Sequence, residues 1–199
     1  DIRFTADLVP VICHDPTAER VFGQSLSVAE LSFEQLRQSL PLVPSLAELI
    51  AAFGGNTHLM LEIKDEPRPD AITQKEHLAS LLSSLTPGRD FHVLALDPAL
   101  FNMVDFLPPE SLLPVAELNT DVMSRAALAG EWSGLAGHYL LLTRRLMQEH
   151  AGRQQLIGTG FPSSRNCLFR ELNRGVEWVF SNHAVKLQRI RDEYLARAA

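Results

Sequence analysis

Residues 43–66 read VPSLAELIAAFGGNTHLMLEIKDE, and the order of their parts decides the fold. Ser45 precedes LAELIAAF with Glu48 three residues on, the spacing of a capping box, and Gly54 stands where that helix should stop. HLMLEIK (58–64) follows, apolar on both faces, which is the signature of a strand covered on both sides. Glu62 and Lys64, two apart at its end, then point to the same side, a carboxylate beside an ammonium.

Outward from this stretch the alternation continues. FHVLALD (91–97), LLPVAEL (112–118), HYLLLT (138–143), QQLIGTG (154–160) and VEWVFSN (176–182) read as further strands. Helical segments lie between them: Leu78, Leu81, Leu82 and Leu85 share a face, Asp97-Pro98 opens ALFNMVDFL, and SSRNCLFRELNRG closes on Gly175. Alternating apolar strands and helices predict an α/β protein with a parallel sheet. Six strands plus an opening one make seven, and 199 residues fall one βα unit short of the ~250 of a (β/α)8 barrel. The expectation is a TIM-type barrel lacking its first β-strand and helix, with residues 1–199 as one domain.

Composition narrows the functions. The formal net charge of −6 argues against a generally basic face for nucleic acid or acidic lipid, so any phosphate must be met locally. Two cysteines, Cys13 and Cys167, make no disulfide framework. No apolar run reaches the ~18 residues of a membrane span, and HYLLLTRRLM is broken by two arginines. The start is not a signal peptide; the expected compartment is the cytoplasm, or the periplasm if an upstream signal has been removed.

The opening, DIRFTADLVPVICHD (1–15), reads as a hairpin: Asp1, Arg3 and Thr5 alternate on one face, ADL turns, and VPVICHD returns to His14 and Asp15. A His-Asp dipeptide alone is most often a surface turn. In order and spacing, however, DIRFTADLVPVICHD, VPSLAELI and LMLEIK resemble the glycerophosphodiester phosphodiesterase family. Its members carry H-R-G, then E-x-D-V-x-x-T-x-D-G-x-P-V-x-x-H-D, I-P-T-L-x-E and E-I-K. Asp1, Thr5, Asp7, Pro10, Val11, His14 and Asp15 fall on the second motif; Pro44, Leu46, Glu48, Glu62, Ile63 and Lys64 fall on the later ones.

The resemblance implies hydrolysis of a small glycerophosphodiester to sn-glycerol 3-phosphate and an alcohol. It implies that Asp1 and Glu62 bind a divalent cation, that His14 is an acid-base histidine, and that Lys64 meets the phosphate. Hard oxygen ligands suit Mg²⁺ or Ca²⁺. Arg3, on the face of Asp1, could also bind phosphate, as an arginine replaces the metal in the related phosphatidylinositol-specific phospholipases. The family's first histidine and the glutamate two before Asp1 are not in the sequence, so residues 1–199 alone are expected to be inactive. Leu8 replaces the turn glycine, and Gly158 stands where a cleft tryptophan is usual. Two alternatives stay open: a barrel hydrolase of another phosphodiester, and a silent barrel that binds a phosphorylated ligand or a partner. His58 and His92, at strand starts, are expected to be structural.

Overall fold

The computed structural model describes residues 1–198, and its contacts divide the chain into two compact units, Asp1–Leu112 and Leu113–Ala199. The first begins with the expected hairpin. Strand β1 (Ile2–Phe4) pairs antiparallel with β2 (Pro10–Ile12), Arg3 opposite Val11. At its turn the Thr5 hydroxyl donates to Asp7 at 2.6 Å and accepts from the Val9 amide. Leu8 takes φ +61°, a left-handed conformation that strains a side chain with a Cβ, so the turn keeps its shape without glycine.

Three short helices follow: α1 (Glu19–Phe22), α2 (Phe33–Ser39) and α3 (Leu46–Phe53). Complete capping boxes, Ser32 with Gln35 and Ser45 with Glu48, start the last two. Val11, Ala18, Val28, Leu36, Leu40 and Val43 form a core beneath them. Strand β3 (Leu59–Glu62) and helix α4 (Ala71–Leu82) lead to β4 (Phe91–Ala95), which lies parallel to β3 with Leu59 opposite Phe91. The helix expected after Asp97-Pro98 is a 3₁₀ helix, Pro98–Val104, capped by Asp97. One contact decides what the hairpin can do: Ile2 bridges in parallel to Ile63, so β1 runs beside the end of β3.

In the second unit β5 (Leu112–Ala116), β6 (Gly134–His138), β7 (Leu156–Gly160) and β8 (Trp178–Phe180) pair in parallel and in chain order. Each is followed by a helix: α5 (Thr120–Ala129), α6 (Arg144–Ala151), α7 (Arg165–Asn173) and α8 (Ala184–Ala198). Leu135, Leu142, Leu146, Ile157 and Val176 belong to the core between strands and helices. The predicted strand HYLLLT is corrected here. The strand is GLAGH, and Tyr139–Thr143 form the connection to α6, with Thr143 as its N-cap. The physical reason is crowding: a Cβ at Gly134 would lie 1.8 Å from the Leu156 carbonyl oxygen, so only glycine lets β6 approach β7 there. Both units thus alternate strand and helix with parallel pairing, as the α/β reading expects.

Candidate active site

Because β1 lies beside the end of β3, Asp1 comes next to Glu62 and Lys64. The Lys64 ammonium sits between both carboxylates, 2.9 Å from Asp1 Oδ1 and 2.5 Å from Glu62 Oε1. Its side chain is 12% exposed, so the Coulomb attraction is only partly screened by water. The strand alternation that aimed Glu62 and Lys64 to one side is therefore observed, with Asp1 as the third member.

The return strand delivers the second cluster. His14 Nδ1 is 2.7 Å from Asp15 Oδ1, and Arg20 Nε donates to Asp15 Oδ2 at 2.6 Å. The Arg20 hydrogen bond, then that from His14, hold the Asp15 carboxyl down at about 2. A carboxylate only accepts, so Nδ1 carries a proton and Nε2 is turned away from Asp15, on a ring 63% exposed. Beside this ring lies a cavity of about 180 Å³ lined by Ile12, Cys13, His14, Asp15, Phe22 and Leu42 among others.

The structure places Arg3 differently from the phosphate-facing position considered for it. Its Nε and Nη2 both donate to the His14 carbonyl at 3.0 Å, and Nη1 donates to Glu66 Oε2 at 2.9 Å. Glu66 Oε1 also accepts the Phe4 amide at 3.0 Å. Arg3 is buried, and it ties the backbone of His14 to the segment that carries Lys64. Glu66 was not singled out by the sequence; its single signal is a carboxylate two residues beyond Lys64. Arg68, also missed, donates Nη2 to the Lys64 carbonyl at 2.6 Å.

The remaining histidines of this unit bond within the fold. His77 Nδ1 meets the Leu8 carbonyl at 2.8 Å, and His58 Nε2 meets His92 Nδ1 at 2.8 Å. Burial first, then the neighbouring His58, pushes His92 down to about 4. In the second unit, His183 is exposed with its amide on the Ser181 hydroxyl. A Cβ at Gly158 would meet the Phe180 ring at 2.7 Å, so Phe180 fills the space over that glycine.

Among the described residues no group of three or more His, Cys, Asp or Glu could hold a metal ion. Asp1 and Glu62 match a hard cation in kind but are two ligands, and both already face the Lys64 ammonium.

The glycerophosphoryl diester phosphodiesterase family model matches residues 1–185. No curated protein matches the chain. Solved structures do. A glycerophosphodiester phosphodiesterase from Parabacteroides distasonis superposes with a TM-score of 0.77 at 15% identity, covering 100% of this chain and 83% of that one. One from Thermotoga maritima gives 0.76 at 12% identity, covering 91% and 79%. An Oleispira antarctica phosphodiesterase, solved with the product sn-glycerol-3-phosphate, gives 0.75 at 18% identity, covering 96% and 83%. At these identities the likeness is one of fold, and it supports the (β/α)8 type of α/β architecture expected from the sequence.

Proposed function

This chain belongs to the glycerophosphoryl diester phosphodiesterase family, and from that premise we propose that residues 1–199 belong to one catalytic domain, which hydrolyses glycerophosphodiesters by general acid-base chemistry. The observation that carries the reading is the pair of clusters joined by Arg3 and Glu66: Lys64 between Asp1 and Glu62, and His14 on Asp15.

In this reading the Lys64 ammonium meets the substrate's phosphate and offsets its charge as the transition state forms. Asp1 and Glu62 would supply two of the oxygen ligands of a divalent cation such as Mg²⁺ or Ca²⁺, whose chemistry there would be to polarise the phosphoryl oxygen. His14 gives a proton from Nε2 to the departing alcohol oxygen as its bond to phosphorus breaks, and water adds to phosphorus with its own proton passing to bulk water. Asp15, held by Arg20, orients the ring and stabilises the imidazolium. Arg3 and Glu66 are positioning residues that set the height of His14. The product found in the Oleispira antarctica structure fits the expected sn-glycerol 3-phosphate.

The test is hydrolysis of glycerophosphocholine and of bis(p-nitrophenyl) phosphate by the full-length protein, with and without EDTA. Release of sn-glycerol 3-phosphate that stops on chelation is the expected result. Activity that survives EDTA would sink the cation, and hydrolysis of the nitrophenyl ester alone would favour another phosphodiester. Binding of glycerol 3-phosphate with no turnover of either ester would favour the silent barrel.

A further inference from the structure

The cavity beside His14 differs in kind from the cluster around Lys64. Ile12, half-buried Phe22 and buried Val43 line it together with two exposed side chains, Val21 (60%) and Leu42 (82%). Apolar surface left in water at this edge is what an apolar ligand would cover with a gain in free energy. The carboxylate in the lining is already engaged. Asp15 accepts from His14 at one oxygen and from Arg20 at the other, and the Cys13 thiol donates to the Asp15 carbonyl at 3.3 Å. Among the described residues no other Asp or Glu lines the cavity, and the Arg20 guanidinium, held on Asp15, adds positive charge beside it. The Cys13 amide donates to the Asp1 carbonyl at 3.0 Å, so the cavity and the Lys64 cluster are carried by facing residues of one hairpin.

We infer that this cavity seats the departing alcohol, and that the alcohol is uncharged and carries an alkyl chain. The inference rests on the hydrolase reading and deepens it. When the bond from phosphorus to the alcohol oxygen breaks, that oxygen takes the Nε2 proton of His14 and the phosphate stays on glycerol. The carbons bonded to the oxygen then lie next to the ring, and His14 is itself part of the cavity wall. A volume of about 180 Å³ has room for about six groups of water's size at ~30 Å³ each, which suits a short chain or the first carbons of a longer one. Each methylene moved from water onto such walls favours binding by up to about fourfold. A choline or ethanolamine head group brings a cation instead, which finds no unengaged carboxylate here and meets the like charge of Arg20. Val21 and Leu42 are thus specificity-determining residues that take no part in proton transfer.

Hydrolysis of three diesters of sn-glycerol 3-phosphate by the full-length protein tests it, with ethanol, hexanol and choline as the second alcohol. The hexyl ester should exceed the ethyl and choline esters in kcat/KM by about tenfold or more, since four further methylenes are worth at most about 200-fold. V21S and L42S, both at exposed positions, should each lower the hexyl-to-ethyl ratio about threefold, and V21S/L42S should bring it near one, with circular dichroism unchanged. A ratio near one in the wild type, a preference for the choline ester, or a hexyl preference that none of the variants alters overturns the inference and leaves the hydrolase reading standing. No turnover of any of the three esters ends that reading, and the inference with it.

Discussion

Each unit holds a carboxylate against arginine, and the two are put to different ends. In the first unit Glu66 accepts from Arg3 and from the Phe4 amide, and through Arg3 it holds His14. In the second, fully buried Glu171 lies between Arg170 and Arg174, and Arg174 also reaches the carbonyls of Tyr139 and Leu142. Glu171 therefore pins α7 to the connection after β6, where the sequence suggested a strand. The same physical device, a buried carboxylate paired with an arginine that makes further hydrogen bonds, positions a reactive group in one unit and a loop in the other.

The comparison breaks first on activity. H14A should lower kcat by about 10²–10⁴-fold, and K64M should lower kcat as well as raise KM, while E171A should leave the catalytic constants of the folded fraction near wild type. Steady-state kinetics on the full-length protein checks this, and an E171A enzyme as impaired as H14A would end the division of labour.

Stability comes next. Truncating Glu66 leaves buried Arg3 without its counter-ion, and that variant should lose about 3 kcal/mol in urea unfolding; truncating Glu171 unpairs Arg170 and Arg174, which water reaches, and should cost less. E66A alone should also lower kcat, because the His14 carbonyl loses its anchored guanidinium. Gly134→Ala belongs with these losses, since its Cβ would meet the Leu156 carbonyl oxygen at 1.8 Å.

A smaller effect should follow pH. His92 is held down to about 4 by burial and then by His58, and burial likewise lowers His150, which lies between Ser124 and Gln155. Below the ordinary value of 6.5 the unfolded chain takes up protons that folded His92 refuses until about 4. Stability should therefore fall as pH drops through that window, and urea midpoints in H92Q and H150Q should each show a shallower slope than wild type. The smallest effect is expected at the hairpin turn. Leu8→Gly relieves the left-handed strain but adds unfolded-state entropy, for a net gain of about 0.5 kcal/mol by thermal unfolding.

What could be read in advance was local. The capping box at Ser45, the hairpin from Asp1 to Asp15 and the shared side of Glu62 and Lys64 follow from spacing over a few residues. Arg3 was open to misreading because both its partners are distant, His14 by 11 residues and Glu66 by 63. GLAGH escaped notice as a strand because two glycines weaken β-propensity, while the apolar run after it looked more strand-like.

By itself, then, the sequence determined the alternation of strands and helices, the caps that start them, and which side of a strand each candidate residue occupies. Periods of 2 and 3.6 residues are written into neighbouring side chains. The tertiary structure alone decided that Lys64 lies between Asp1 and Glu62, that Arg3 serves His14, and that β6 begins at Gly134. Each depends on how closely segments distant in the chain approach, and that distance is set by packing.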